Sequence, residues 1–315
     1  MPKIQLDDVS LHYEEQGAGS PLLLLHGLGS TAADWDEVAP RLAEGHRLIA
    51  PDVRGHGRSD KPPGAYSVPL FAADIAAFCD RRGLSGVHVA GISMGGMLAF
   101  ELAVRRPDLV RSLVIVNSGP DMVPRSLRFR MLMATRLLLL RVLGPAGLAR
   151  ILAGKLFPRP EQGEQRRRIG ERLAQNDRDA YLRATRGLIG WSVLEELPTI
   201  TCPVLVLASD GDYTSVADKQ AYLGRLKDAQ LESAYQNLLR TPAAASVVGH
   251  GREAAHSSLL AAGVPRYGFV RRSEIIRDSG HAATADQPEQ VAEAMLRFLG
   301  RVESTSPRVG GAIVT

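Results

Sequence analysis

Cysteine is scarce in this sequence: Cys79 and Cys202 are the only two in 315 residues. Two thiols so far apart build neither a disulfide framework nor a zinc site, and a reducing compartment suits them. The opening Met-Pro-Lys-Ile-Gln-Leu-Asp-Asp lacks the apolar stretch of a secretory signal. Long apolar runs are missing too. The one around Leu137–Leu140 is interrupted by Arg136 and Arg141, so no segment is expected to span a bilayer. There is no P-loop, no dinucleotide fingerprint and no cluster of metal-ligating type, so neither a cofactor nor a metal is expected. The setting these absences suggest is a soluble cytoplasmic protein.

What is present is globular. Hydrophobic residues make up 45% and charged residues 23%, which excludes a disordered or collagen-like chain. The length is that of one large domain or two small ones. Roughly three quarters of the unfolded surface can be buried at this size. The net charge of +4 is unevenly spread. Arg125 to Arg186 holds fourteen arginines and Lys155 against five carboxylates, a net +10 that leaves −6 for the remainder. A basic module in an acidic body argues against a nucleic-acid partner. It suits attraction for anionic substrates or membrane surfaces, or simply a solvated arginine-rich helical surface.

Strands and helices alternate through the first third. Ile4–Leu6, Leu11–Glu14, Pro21–Leu25, Arg47–Ala50, Val87–Ala90 and Leu113–Val116 read as strands. The continuous apolar run Pro21–Leu25 is what a strand buried on both faces looks like. Helical sequence separates them at Trp35–Leu42, Leu70–Arg82 and Met97–Arg105. This order predicts a mostly parallel α/β sheet flanked by helices. After Gly119-Pro120 the pattern turns helical, with Leu127–Val142, Arg166–Ala174 and Asp179–Leu188. Sheet-like sequence resumes at Pro203–Ala208, followed by helices at Val216–Leu226 and Pro288–Leu299. The expected division is a first core part over 1–120, a helical insertion over 121–194, a second core part over 195–300 and a loose tail over 301–315.

Chemistry concentrates at Gly91-Ile92-Ser93-Met94-Gly95, a G-x-S-x-G pentapeptide between an expected strand and an expected helix. That context is what a nucleophile elbow requires: a tight turn exposing the serine oxygen above the sheet. Gly91 and Gly95 are small because helix and neighbouring strand crowd the turn, and Gly96 lets the helix pack closely. A serine hydroxyl is a poor nucleophile at neutral pH and needs a histidine base oriented by a carboxylate. Downstream lie Ser209-Asp210-Gly211-Asp212-Tyr213 and Asp278-Ser279-Gly280-His281. Both follow strand sequence, where open α/β sheets place their sites.

Five ordered motifs make the chain resemble the α/β-hydrolase fold superfamily, in its serine esterase and enol-lactone hydrolase branch. Leu25-His26-Gly27-Leu28-Gly29 is similar to the oxyanion loop. Asp52-Val53-Arg54-Gly55-His56-Gly57-Arg58-Ser59 is similar to the D-x-R-G-x-G-x-S turn. Gly91–Gly95 matches the elbow, Asp210–Asp212 the acid turn and Gly280-His281 the histidine loop. The resemblance implies Ser93 as nucleophile, His281 as base and Asp212 as acid, with Asp210 as the rival carboxylate. It implies an oxyanion hole from the backbone N–H groups of Leu28 and Met94, with His26, Gly27, Gly91 and Gly95 in support. His56 and Arg58 are expected to be structural.

The implied activity is hydrolysis of a small carboxylic ester or lactone without a cofactor. C–C bond hydrolase, perhydrolase, acyltransferase and non-catalytic receptor stand as alternatives on the same fold. The insertion corresponds to the family's cap, with Leu127, Met131, Met133, Leu137, Leu138 and Trp191 as candidate pocket lining. One stretch departs from the family pattern. Ala229–Glu232 and Ile275–Arg277 read as two halves of one strand, parted by an excursion over Ser233–Glu274 that contains His250 and His256.

Overall fold

Leu22, Leu23, Leu24 and Leu25 are all buried, and alternate members feed two different cores. They lie on the third strand of a sheet seen in a computed structural model, which describes residues 2–226 and 271–305. Among the described residues the strands are β1 Lys3–Gln5, β2 Ser10–Gln16, β3 Ser20–Leu25, β4 His46–Pro51, β5 Val87–Ile92, β6 Val110–Val116, β7 Val204–Ser209 and β8 Arg271–Ile276. Their order across the sheet is β1-β2-β4-β3-β5-β6-β7-β8. β1 and β2 join antiparallel, and every pairing from β4 to β8 is parallel.

Helices cover both faces, as a parallel sheet demands. On one side lie α2 Val68–Arg81 and α3 Met94–Arg105. There Phe71, Ile75, Phe78 and Leu98 pack on Leu23, Leu25, Val89 and Leu113. On the other lie α1 Ala39–Leu42 and a C-terminal helix, where Trp35, Val291, Met295 and Phe298 pack on Leu22, Leu24 and Val114. Ser67 starts α2 by accepting from Leu70 N at 3.2 Å, with proline at the next turn position.

The helical stretch after β6 forms α4 Leu127–Leu156, α5 Gly163–Ala174 and α6 Arg178–Leu188. Its two ends run side by side. Met122 N donates to Trp191 O at 2.8 Å, Gly190 N to Met122 O at 3.1 Å, and Val193 N to Pro120 O at 2.9 Å. The indole of Trp191 donates to Glu101 Oε2 at 2.8 Å, pinning this seam to α3. α4 was expected to stop at Val142. Instead it kinks at Gly144 (φ 67, ψ −178), passes Pro145 and continues. It is also, by length and composition, long and apolar enough to cross a bilayer, which corrects the expectation that no segment is. An 18-residue apolar window there still contains two arginines, such as Arg136 and Arg141 in Met131–Leu148.

α7 Val216–Leu223 follows β7, then α8 Ala283–Asp286 and α9 Pro288–Thr305 close the fold. Two boundaries shift. α9 continues through Thr305, so the expected tail begins inside a helix. β8 starts at Arg271, with Val204 opposite Arg271 and Ser209 opposite Ile276, so Arg271–Glu274 belong to the sheet and not to an excursion. The charged start of this strand, Arg-Arg-Ser-Glu, hid it from a reading based on apolar runs. Ala229–Glu232, His250 and His256 lie outside the described residues.

The D-x-R-G-x-G-x-S turn holds the floor of the fold. Asp52 accepts from Ala32 N at 2.8 Å and Arg58 N at 2.9 Å. Arg54 is buried and forks onto Asp74 at 2.5 and 2.6 Å and onto Asp8 at 2.8 and 2.9 Å. Burial pushes the Asp74 carboxyl up and Arg54 opposes it. Arg54→Met should therefore cost about 3–5 kcal/mol in denaturant unfolding, because it strands a buried carboxylate. Asp8→Asn, at the exposed end of the same fork, should cost less than about 1 kcal/mol.

Candidate active site

Ser93 stands between β5 and α3 with φ 53 and ψ −116, a left-handed backbone that a non-glycine residue rarely adopts. Crowding enforces it. A side chain at Gly91 would strike the Gly95 carbonyl, and one at Gly95 would strike the Leu25 carbonyl of β3. The turn is tied down by Ser93 N donating to Val116 O at 3.0 Å and Ser118 Oγ donating to Ser93 O at 2.6 Å. The Ser93 side chain is held at the sheet's carboxyl edge, over the N-terminus of α3, where the helix dipole favours negative charge.

The loop after β3 passes over this serine: a Cβ on Gly27 would lie 3.6 Å from Ser93 Cβ. Gly27 N is already engaged, donating to Asp34 Oδ2 at 2.9 Å. The next amide, Leu28, has no acceptor among the described residues, and neither has Met94 at the start of α3. His26 fixes the loop from below. Its Nε2 accepts from Val53 N at 3.0 Å, so Nδ1 carries the proton and donates to Gly27 O at 2.8 Å. His26 is fully buried and faces the D-x-R-G turn, beside His56. Burial pushes the His56 imidazole down to about 3, so it stays neutral.

His281 lies in the loop after β8. Its Nδ1 is 2.8 Å from Asp212 Oδ1, while Asp210 is turned away. Asp210 instead accepts from Asp278 N and Ser279 N, both at 3.2 Å, and so holds the backbone of the histidine loop. Asp212 is buried. Burial raises its carboxyl, but His281, Lys219 and Thr214 outweigh that and hold it at about 2. It is ionised, so the shared proton rests on His281 Nδ1.

Three site residues escaped the sequence reading. Lys219, on α7, is buried and donates to Asp212 Oδ2 at 2.6 Å and Thr214 O at 2.8 Å. Asn117 (φ 45) donates to Ser209 Oγ at 2.7 Å, Gly280 O at 3.1 Å and His281 O at 3.0 Å, and accepts from Ser209 N at 2.8 Å. It binds the ends of β6 and β7 to the histidine loop. Tyr213 is the third. Its hydroxyl stands 2.8 Å from His281 Nε2, its ring lies 4.2 Å from the imidazole, and it also meets Ser93. Tyr213 is open to solvent over 72% of its surface, so its phenol covers His281 and Ser93 from the solvent side. With Nδ1 protonated, Nε2 accepts from the phenol. The proximity of Tyr213 to the Asp-rich turn was the one signal that pointed to it.

The helical stretch carries one buried charge near Tyr213: Arg136, whose Nη2 donates to Tyr181 Oη at 3.2 Å and whose buried Nε has no partner among the described residues. Of the candidate pocket residues, Met133 and Leu137 share the inward face of α4 with Arg136. Leu127, Met131 and Leu138 sit on the opposite face and are exposed, which corrects their assignment to the pocket. Trp191 is buried in the seam with α3. Among the described residues no cluster of three or more His, Cys, Asp or Glu is arranged to hold a metal.

Comparison with known proteins agrees with this architecture. The family model of the alpha/beta hydrolase fold matches residues 20–139. A putative carbamate hydrolase RutD of Stutzerimonas stutzeri is 31% identical over 236 residues, 70% of this chain and 86% of that protein. The protein of the same name from Azorhizobium caulinodans is 42% identical over 117 residues, 37% of this chain and only 44% of the relative. The crystal structure of the enol-lactonase from Burkholderia xenovorans LB400 superposes with a TM-score of 0.74 at 17% identity, over 95% of this chain and all of that one. At that identity the likeness shows the fold.

The Asp212–Lys219 pair yields a test by stability. Lys219→Met should cost about 3–5 kcal/mol by leaving a buried carboxylate short of a partner. Asp212 is held at about 2, below the ordinary 3.8. Its contribution is complete above 3.8 and is lost as pH falls toward 2. The acid-unfolding midpoint, read by circular dichroism, should therefore rise in Lys219→Met.

Proposed function

Because the chain belongs to the α/β-hydrolase fold family, we propose that it is a serine hydrolase that cleaves a small carboxylic ester or lactone. Ser93 is the nucleophile, His281 the base and Asp212 the acid. One observation carries the reading. A strained, partly exposed Ser93 lies beside the Leu28 and Met94 amides, which have no acceptor among the described residues, and Tyr213 links it to an imidazole whose far nitrogen is 2.8 Å from a buried carboxylate.

The chemistry follows from that arrangement. Ser93 Oγ attacks the substrate carbonyl carbon, and its proton passes to His281 Nε2. Charge moves to the carbonyl oxygen, where the Leu28 and Met94 N–H groups receive it. Donors of this kind are each worth roughly 10²–10³-fold in rate. Asp212 stabilises the imidazolium without taking the proton. The intermediate collapses, the alcohol leaves with the proton from Nε2, and water repeats the sequence on the acyl-enzyme. Tyr213 stands 2.8 Å from Nε2 and has to give way to Ser93 for this proton transfer.

The named relatives add a second substrate class. Two of them are described as carbamate hydrolases, and a carbamate carbonyl is open to the same attack. Arg136, at the inner face of the cap, favours an acyl or alcohol group that bears a negative charge. The acidic remainder of the chain does not supply such a site.

Four measurements check the reading. A fluorophosphonate should label Ser93 alone, as seen by peptide mass spectrometry, and Ser93→Ala should abolish both labelling and turnover of a p-nitrophenyl ester. Asp212→Asn should lose about 10³–10⁴-fold in kcat by favouring the wrong imidazole tautomer. Asp210→Asn should lose less than about tenfold, since it only braces a loop; the reverse ranking would exchange the two roles. Tyr213→Phe should be labelled several-fold faster, because Nε2 is then free for Ser93. Arg136→Met should raise KM for a carboxylate-bearing ester while leaving that for its neutral analogue unchanged.

A further inference from the structure

Helix α4 carries two apolar faces, and only one is used inside the molecule. The inner face, with Leu140 and Leu148, packs on Tyr181 and Leu182 of α6. The outer face presents Leu127, Met131, Leu138 and Val142, exposed over 72%, 62%, 60% and 70% of their surfaces. At 3.6 residues per turn these four project within about 60° of one another. Leu132 and Leu143 are exposed too, but on a separate line of the helix beyond Arg128. Contiguous apolar surface of this kind marks an interaction site.

The charges around the strip say what covers it. No Asp or Glu occurs between Asp121 and Glu161, while Arg128, Arg130, Arg136, Arg141, Arg150 and Lys155 all fall on α4. Arg128 flanks the strip on one side and Arg130 and Arg141 on the other. All three are exposed, and none forms an ion pair among the described residues. Elsewhere in the helical stretch Arg159 pairs with Asp286, Arg167 with Glu164 and Glu171, Arg168 with Glu37 and Arg172 with Asp34, whereas Arg150, Arg166, Arg178, Arg183 and Arg186 form no ion pair among the described residues. Unmatched cations beside bare apolar side chains call for a partner that is apolar beneath an anionic surface.

We propose that the outer face of α4 docks on an anionic lipid bilayer, with Leu127, Met131, Leu138 and Val142 entering the acyl boundary and Arg128, Arg130 and Arg141 meeting the headgroups. A second copy of the chain is the poorer fit. A two-fold contact through this strip would set the same arginines against each other. A helix lying on the bilayer fits better than one passing through it. The Gly144 kink breaks the axis, and lifting α4 away would strip Leu140 and Leu148 from their core.

The test is flotation of the full chain with vesicles of phosphatidylcholine alone and of phosphatidylcholine mixed with phosphatidylglycerol. The chain should float with the mixed vesicles, less so at high salt, and stay behind with the neutral ones. Arg128→Gln, Arg130→Gln and Arg141→Gln together should lower partitioning about 100-fold. Met131→Asp with Leu138→Asp should abolish it, with unchanged circular dichroism and unchanged turnover of a water-soluble ester. Equal binding to both vesicle types, no binding to either, or undiminished binding by the Met131/Leu138 variant overturns the proposal. So does a concentration-dependent dimer in vesicle-free solution that the same two substitutions dissolve, which would assign the strip to a second copy. Resistance of the bound chain to alkaline carbonate extraction would overturn it in favour of a span.

Discussion

The backbone at Ser93 is the constraint on which the rest of the molecule depends. A serine at φ 53 persists only where its surroundings leave no alternative. Here the first turn of α3 is pressed against β3 so closely that Gly91 and Gly95 have no room for a side chain. That compression needs strands buried on both faces to press against. It also needs the loop after β3 to come down over Ser93, and His26 holds it there by accepting from Val53 N at 3.0 Å. The D-x-R-G turn is thus part of the same device, several residues removed from any chemistry.

On the opposite side of the serine, Asp212 and His281 come from the ends of separate strands, β7 and β8. Asn117 brings them to one place by bonding to Ser209, Gly280 and His281 at once. Asp210 adds a second tie through the Asp278 and Ser279 amides. The two carboxylates of one short turn therefore divide the work. The buried one faces the imidazole and Lys219, and the exposed one braces the loop that carries it.

Much of this was legible in the sequence because the family's devices are local. An elbow, an oxyanion loop and an acid turn are each written within a few residues, and their punctuation by glycine and proline survives translation into strands and helices. What was not legible is long in sequence and short in space. Asn117 and His281 are 164 residues apart, and nothing near either announces the other. Lys219 reads as an ordinary helical lysine until α7 turns it onto Asp212. Tyr213 is next to the acid, but only tertiary packing decides that its phenol covers Nε2. Leu127, Met131 and Leu138 were misassigned to the pocket for a related reason: an apolar residue on a helix with two apolar faces does not reveal which face meets the body. The start of β8 was missed because its early residues are charged.

The seam where Asp121 and Ser192 bridge has a consequence for how such a protein can diversify. Three helices enter and leave through adjacent strands of backbone, so the whole cap occupies one footprint on the sheet. Lengthening, shortening or replacing it leaves the closure distance unchanged and costs little in loop entropy. The parts that set the serine, histidine and aspartate lie below that footprint. Selection can therefore rewrite what these helices touch while the arrangement of serine, histidine and aspartate goes on unaltered beneath them.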